Sequence, residues 1–279
     1  MIVDRLSKAL GPWRDIWIRS GWRVQIHSVT GRARTLNAQG ACVALGPPEE
    51  CIRIATRSAP SAGARRAAVF LHGLWDYPAM MTALANAVQA EGWAVANVGY
   101  PSTRLPLAEH GAAASLAARA LAEDGAEEIS FVGFSLGGLV ALTAMAYAEM
   151  DGWHPGRLVL IGSPARGSAL AEQFQDVPGY RTIVGSCGRE VTPAGVTTIL
   201  EPACEDIMVI AGGTGGSGYN PLIPGDNDGL IAVSETRMKH RETAFLLLHS
   251  IHKLLPLQPE TISACCRFLG SGHTMRSAA

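Results

Sequence analysis

The chain has 279 residues, 48% of them hydrophobic and 17% charged, and a formal net charge of −1. This length and composition are typical of one large α/β domain and argue against extensive disorder. The near-neutral charge argues against a nucleic-acid-binding protein, which needs cationic side chains to neutralise phosphates. No apolar run reaches the ~18–20 residues that a membrane-spanning helix requires.

Residues 1–22 have the periodicity of an amphipathic helix. Trp13, Trp17 and Trp22 lie among basic residues here, and such a segment can bind in the plane of a membrane surface. The same periodicity is typical of a helix packed on its own domain, which is the simpler interpretation. Residues 1–5 lack the pattern of a secretory signal. We therefore expect a cytoplasmic protein, with peripheral membrane contact through this helix as the alternative.

Residues 23–279 have the pattern of a single α/β domain. Short runs bounded by Gly and Pro predict hairpin-connected strands near residues 24–29, 40–45 and 51–56. Farther along, apolar runs predict strands at residues 67–71, 93–98, 129–133, 158–162, 207–211 and 244–248, and alanine-rich stretches predict helices at 78–91, 107–123 and 136–150. This alternation is typical of a mostly parallel central sheet with helices on both faces. Residues 163–206 are too long for a plain crossover and are expected to form a small cap.

The segment Gly133-Phe134-Ser135-Leu136-Gly137 matches the G-x-S-x-G pattern of a nucleophile elbow. The pattern alone is weak, because a chain with 31 glycines contains it by chance roughly 0.2 times. Its context is specific, since an apolar strand precedes it and a helix follows it. A sharp turn there would lift the Ser135 hydroxyl above the sheet, at a helix N-terminus that favours developing negative charge. Ser135 is therefore the predicted nucleophile.

A second motif, Phe70-Leu71-His72-Gly73-Leu74-Trp75, ends an earlier apolar strand. In this architecture the loop after that strand supplies one backbone N–H of an oxyanion hole, and the residue after the nucleophile supplies the other. We assign these two donors to Leu74 and Leu136. His72 precedes Ser135 in the chain and is expected to brace the loop rather than to act as the base.

These motifs resemble those of the α/β-hydrolase superfamily and, within it, the lipase-like serine esterases. The resemblance extends over about residues 67–269 and includes further segments at 97–103, 160–164 and 167–168. It implies an α/β-hydrolase fold and an ester hydrolase with a serine, an acid and a histidine. The first quarter of the chain has no recognisable counterpart in the family.

The acid is expected after the predicted strand at residues 207–211, because the chain order in this fold is serine, acid, histidine. Asp226 and Asp228 both lie there. The segment from Asp228 to Ile231 resembles the one in which lipase-like enzymes carry their acid, so Asp228 is preferred and Asp226 is the alternative. Both aspartates could instead shape a turn or cap the next element.

Two histidines, His249 and His252, follow the last predicted strand. His252 lies in the loop, and its distance from the C-terminal helix resembles the spacing in the family, so it is preferred as the base. His249 is the alternative. Members of the family usually have Ser-His-Thr where this chain has Ile251-His252-Lys253, and Lys253 is expected to extend into solvent.

The motifs together predict a serine hydrolase that cleaves a small-molecule or lipid carboxylic ester through an acyl-enzyme intermediate. An acyltransferase using the same triad and a non-catalytic binding protein with a hydrolase-like fold are the alternatives. Trp75 and Phe134 are the candidate substrate-binding residues. The sequence has no metal-ligand pattern, phosphate-binding loop or dinucleotide fingerprint, so we expect neither a metal nor a cofactor.

Overall fold

Four strands near the N-terminus form an antiparallel sheet in the computed structural model. The described part of the chain comprises residues 11–180, 184–198, 204–238 and 241–271. The four strands pair in chain order and are Trp13–Arg19 (β1), Trp22–His27 (β2), Ala33–Leu36 (β3) and Cys42–Gly46 (β4). The strands predicted near residues 24–29 and 40–45 correspond to β2 and β4, whereas β3 was not predicted.

The predicted N-terminal helix is wrong where the structure describes it, because residues 13–22 form β1, a tight turn and the start of β2. Ser20 and Gly21 have φ angles of 47° and 81°, and two consecutive left-handed residues make the turn that suits a twisted hairpin. Trp17 is buried, so its indole cannot contact a membrane. Residues 1–10 of the predicted helix lie outside the described residues. None of the described helices is long and apolar enough to span a bilayer.

The strand predicted near residues 51–56 is also wrong, because this segment lies in a helix, Pro48–Ser58 (α1). Pro48 lies in the first turn together with two glutamates, and both features favour the start of a helix. Cys51 and Ala55 are buried, and their spacing of four residues is that of one helical face.

Six parallel strands form the central sheet. They are Arg66–Leu71 (β5), Ala94–Val98 (β6), Glu128–Phe134 (β7), Pro155–Ile161 (β8), Ile207–Gly213 (β9) and Ala244–His249 (β10). Their order across the sheet is β10-β9-β8-β7-β5-β6, and every neighbouring pair is parallel. Because parallel strands end at the same edge, the loops after β5, β7, β9 and β10 meet there.

Helices cover both faces of this sheet. The described helices after α1 are Thr82–Ala90 (α2), Leu107–Glu123 (α3), Leu136–Met145 (α4), Ala148–Asp151 (α5), Ala169–Phe174 (α6), Cys187–Glu190 (α7), Pro193–Val196 (α8), Val233–Thr236 (α9) and Pro259–Gly270 (α10). Alternate residues of β5 point to opposite faces. Val69 packs in the core with α3 and α4, and Phe70 packs in the core with α2 and α10. This arrangement confirms the predicted α/β-hydrolase fold.

The segment between β8 and β9 is the one for which a cap is predicted, and its described part carries α6, α7 and α8. It contacts the loop that follows β6. The Ser186 N–H donates to the Thr103 carbonyl oxygen at 3.3 Å, and the Leu107 N–H donates to the Glu190 carboxylate at 2.7 Å. The segment is therefore hydrogen-bonded to the loop at the carboxyl edge of the sheet. The division into one domain with a cap at residues 163–206 stays a prediction.

Candidate active site

Ser135 lies in a strained turn between β7 and α4. Its φ and ψ angles are 55° and −122°, a conformation that costs a residue other than glycine on the order of 1–3 kcal/mol. The Ser135 N–H donates to the Ile161 carbonyl oxygen on the neighbouring strand β8 at 2.8 Å. This backbone conformation presents the serine hydroxyl at the edge of the sheet where the loops meet.

The glycines around Ser135 are required by close backbone contacts. A Cβ atom on Gly133 would lie 2.4 Å from the nitrogen of Gly138, and a Cβ atom on Gly137 would lie 2.2 Å from the Leu71 carbonyl oxygen. Both distances are far shorter than a van der Waals contact. The start of α4 can therefore approach both β7 and the end of β5 only because no side chain is present at these positions.

Three side chains from separate loops form a continuous chain of hydrogen bonds. The Ser135 hydroxyl oxygen lies 2.9 Å from His252 Nε2, and His252 Nδ1 lies 2.6 Å from Asp228 Oδ2. Ser135 follows β7, Asp228 lies in the loop after β9, and His252 begins the 3₁₀ helix that follows β10. With Nδ1 protonated, the imidazole donates to the carboxylate and accepts from the serine hydroxyl. This is the geometry that proton transfer from a serine to a histidine requires.

Asp228 is buried and held by backbone donors. Its side chain is 0% exposed. Its Oδ1 accepts hydrogen bonds from the N–H groups of Leu230 at 3.0 Å and Ile231 at 2.8 Å, which leaves Oδ2 for the histidine. The His252 N–H also donates to the Asp228 carbonyl oxygen at 2.9 Å. The positions of the carboxylate and the imidazole relative to each other are therefore set by the backbone.

The structure places both alternative residues at the glycine-rich loop after β9. Asp226 accepts hydrogen bonds from the N–H groups of Thr214 at 2.7 Å and Gly215 at 2.9 Å. Burial raises the pKa of Asp226, but these hydrogen bonds outweigh it, so the pKa lies below its usual value. His249 ends β10, and its Nε2 lies 3.5 Å from the place that a Cβ atom on Gly215 would take. The Ser135 hydroxyl is hydrogen-bonded instead to His252, which is hydrogen-bonded to Asp228.

Two backbone segments lie on either side of Ser135. Leu136 is the first residue of α4, where an N–H has no acceptor within the helix and the helix dipole favours negative charge. In the other segment, a Cβ atom on Gly73 would lie 3.1 Å from the Ser135 Cβ. The loop that contains Gly73 and Leu74 therefore passes directly beside the serine, and an oxyanion formed there would be close to both segments.

The two candidate substrate-binding residues have different surroundings. Trp75 is 37% exposed and follows Leu74 directly, so it remains a candidate. Phe134 has no exposed surface, and its ring centroid lies 5.0 Å from that of His252. Phe134 therefore packs against the histidine within the core and does not line an open surface, which corrects its assignment.

The Lys253 side chain is partly exposed, as expected, but its ammonium group makes an ion pair that the sequence did not predict. Its Nζ lies 2.8 Å from Asp76 Oδ2, and the Lys253 and Asp76 side chains are 47% and 10% exposed. Asp76 was not identified from the sequence. The two residues are 177 positions apart, and no local pattern relates them. The ion pair joins the loop after β5 to the loop after β10.

His72 braces the loop after β5. Its buried ring places Nδ1 at 2.9 Å from the Gly73 carbonyl oxygen and Nε2 at 3.4 Å from the Tyr100 nitrogen. The Tyr100 hydroxyl donates to the His72 carbonyl oxygen, and the two rings stack with their centroids 4.2 Å apart. Burial lowers the pKa of His72 to about 4, so the ring is neutral at pH 7. These contacts agree with the expected bracing role.

The free energy of unfolding is expected to fall between pH 7 and pH 5. Burial lowers the pKa of His72 to about 4 and that of His110 to about 3, from 6.5 when exposed. Between pH 6.5 and about 4 the unfolded chain therefore binds more protons than the folded chain, so stability falls with decreasing pH. Relative to pH 7, each histidine lowers the free energy of unfolding at pH 5 by about 2 kcal/mol. Tm values at pH 7 and pH 5 test this expectation.

The matched variant for this measurement is His110→Leu, which removes one of the two titrating groups from α3. Its Tm should fall less than that of the wild type over the same pH interval. An equal fall in both proteins would show that proton uptake by His110 does not contribute to acid unfolding.

Bacterial proteins of solved structure share this fold. The mature form of the lipase BlEst2 from Bacillus licheniformis has a TM-score of 0.59 at 16% identity, over 74% of this chain and 93% of that chain. The product of the gene lin2722 from Listeria innocua has a TM-score of 0.52 at 17% identity, over 76% of this chain and 96% of that chain. At such low identity the likeness shows a common fold and leaves the chemistry to be argued from the site.

The sequence of this chain matches the model of a known protein family over a long range. Residues 68–228 match the model of the Alpha/beta hydrolase family, and no curated protein matches the chain. The matched range includes Ser135 and Asp228 and covers more than half of the 279 residues. The chain therefore belongs to the alpha/beta hydrolase family.

Proposed function

We propose that the protein is a serine hydrolase of carboxylic esters, in which Ser135 is the nucleophile, His252 the base and Asp228 the acid. The observation that carries the proposal is the chain of hydrogen bonds, 2.9 Å from Ser135 to His252 and 2.6 Å from His252 to Asp228. The strained backbone at Ser135 is further support, because a turn without a catalytic role has no need of it. Membership in the hydrolase family agrees with this function.

In the acylation half of the reaction, His252 Nε2 takes the hydroxyl proton while Ser135 Oγ attacks the ester carbonyl carbon. The carbonyl oxygen becomes an oxyanion, which the N–H groups of Leu74 and Leu136 stabilise. Loss of one such donor typically costs ~2.7–4 kcal/mol. Asp228 stays ionised and stabilises the imidazolium. His252 then gives its proton to the departing alcohol, and the acyl group remains on Ser135.

In the second half, a water molecule replaces the alcohol. His252 takes a proton from the water as its oxygen attacks the acyl carbonyl carbon, and then returns the proton to Ser135 Oγ as the carboxylic acid leaves. These steps use no metal or cofactor. Among the described residues, no group of three or more His, Cys, Asp or Glu side chains is arranged to hold a metal ion.

Apolar side chains next to the candidate site support an ester with an apolar acyl group. Large apolar residues within two positions of Leu74, Asp228 or His252 are exposed by 37–46%: Trp75, Leu230, Ile251 and Leu254. Exposed apolar groups on the loops that carry a site are available to bind apolar ligands. The Asp76–Lys253 ion pair adds no net charge, so this side of the site suits an uncharged acyl chain.

A series of p-nitrophenyl esters with acyl groups from acetyl to dodecanoyl tests this function. We expect release of p-nitrophenol, with kcat/KM increasing by up to about 15-fold for each pair of added methylene groups that the site buries, because burial of one methylene is worth ~0.8 kcal/mol. A fluorophosphonate probe should label the wild type and leave the Ser135→Ala variant unlabelled.

Three outcomes would contradict parts of this proposal. Absence of both turnover and labelling would favour the non-catalytic alternative. A kcat/KM that does not change with chain length would contradict the apolar acyl group alone. If an added alcohol diverts the product from the carboxylic acid to a new ester, the acyltransferase alternative replaces hydrolysis.

A further inference from the structure

An ion pair connects the two loops that flank the candidate active site. Lys253 Nζ donates to Asp76 Oδ2 at 2.8 Å. Lys253 directly follows His252, and Asp76 lies two residues after Leu74. The pair therefore joins the loop of the proposed base to the loop of a proposed oxyanion donor, in addition to the contacts that both loops make with Ser135.

The pair is partly shielded from water. The Asp76 side chain is 10% exposed and that of Lys253 is 47% exposed, so its geometry is held more firmly than that of a fully exposed pair. Asp76 Oδ2 lies 3.0 Å from the place that a Cβ atom on Gly73 would take, and the Ser135 Cβ lies 3.1 Å from that same place. The carboxylate of Asp76 therefore lies against the glycine that contacts the nucleophile.

The loop after β5 needs such a restraint because its backbone is strained. Trp75 has a φ of 60°, which residues other than glycine rarely adopt. Two hydrogen bonds restrain this turn: the Trp75 N–H donates to Ser102 Oγ at 3.0 Å, and the Asp76 N–H donates to the Gly73 carbonyl oxygen at 3.2 Å. Neither of them reaches the loop of His252, whereas the ion pair does.

We propose that Asp76 and Lys253 are positioning residues that hold the Leu74 N–H in register with Ser135 and His252, an inference that rests on the proposed function. A change in register lowers transition-state stabilisation and leaves ground-state binding of an apolar acyl group almost unchanged. Removal of the pair should therefore lower kcat with little effect on KM.

The test compares Lys253→Met, Asp76→Asn and the double variant with the wild type in steady-state kinetics on a p-nitrophenyl ester. Each single variant should lose about tenfold or more in kcat, with KM changed by less than about threefold. The double variant should be no slower than the slower single variant, because both changes break the same interaction. Lys253→Arg keeps the charge and should retain most of the activity.

Glu127→Gln is the matched control, because it removes one partner of an exposed ion pair, Arg65–Glu127, outside the site. Its kcat should equal that of the wild type. A Tm for each variant identifies any that fail to fold. Lys253→Met is expected to disturb the fold least, because the Lys253 side chain is half-exposed.

Each remaining outcome overturns one claim. If wild-type turnover is lost in Ser135→Ala but kcat is unchanged in Lys253→Met and Asp76→Asn, positioning by the pair is wrong and the proposed function stands. A lower Tm with unchanged kcat assigns the pair to stability alone and overturns the proposal. Effects on kcat that multiply in the double variant show that the two residues act independently. A wild type without turnover overturns the proposed function, and the positioning role with it.

Discussion

Replacing Ser135 by alanine is expected to lower ester turnover by a factor on the order of 10⁴ or more, because it removes the oxygen that attacks the acyl carbon in the proposed mechanism. The fold should persist. Alanine keeps the Cβ atom that lies beside Gly73, and among the described residues it loses the hydrogen bond to His252 Nε2. We expect a Tm within a few degrees of the wild type. Turnover at the wild-type rate would show that Ser135 is not the nucleophile.

A second variant at the same position separates the chemistry from the backbone strain. Ser135→Gly also removes the hydroxyl, but glycine adopts a φ of 55° without steric cost. Relief of about 1 kcal/mol of strain should raise its Tm by about 2–4 °C above that of Ser135→Ala. Both variants should be inactive to the same degree. Equal Tm values would show that the strain at Ser135 does not exceed the entropy that glycine adds to the unfolded chain.

The central sheet could be predicted because its strands are buried on both faces. Runs such as the one over residues 207–211 are continuously apolar, and they alternate with helices of a length that a parallel crossover needs. The local motif around Ser135 could be predicted for a similar reason. Its strand, turn and helix are neighbours in the sequence, and the contact that requires Gly133 lies among them, whereas the contact that requires Gly137 is with Leu71 on β5.

The N-terminal hairpin could not be predicted by the same means. Its apolar residues recur at spacings that suit a helical stripe, but Ile16, Trp17 and Ile18 are all buried, because both faces of β1 pack against the rest of the chain. The informative signal was the pair Ser20-Gly21, a two-residue turn between runs rich in Trp and Ile. Periodicity alone is a poor guide when a strand has no solvent face.

Contacts between distant loops were the least predictable part of the site. Asp226 and Asp228 differ by two positions, and which of them lies near the histidine depends on how the loop after β9 folds around Asn227, whose buried side chain bonds to Asn220 and Gly229. The contact between Lys253 and Asp76 was not predicted, because nothing near Lys253 in the sequence indicates that Asp76 lies within reach.

Replacing Asp228 by asparagine is expected to lower kcat/KM by about 10³–10⁴. The backbone N–H groups of Leu230 and Ile231 donate to Oδ1, so the asparagine would keep its oxygen toward them and turn its NH₂ group toward His252 Nδ1. That nitrogen would then have to accept a hydrogen bond, and the ring proton would move to Nε2. An Nε2–H cannot take the proton of Ser135, so catalysis fails while the shape of the site is preserved.

Asp226→Asn is the matched control for that experiment, because it removes the same charge only two residues away. The Asp226 carboxylate accepts hydrogen bonds from the N–H groups of Thr214 and Gly215. The substitution should therefore lower the stability of the glycine-rich loop and change kcat/KM by less than about threefold. Kinetics on one p-nitrophenyl ester and a Tm for each variant distinguish the two residues. A large loss in Asp226→Asn with near-normal activity in Asp228→Asn would reverse the assignment of the acid. That result would require the loop after β9 to rearrange, because only Asp228 is anchored to the backbone of His252.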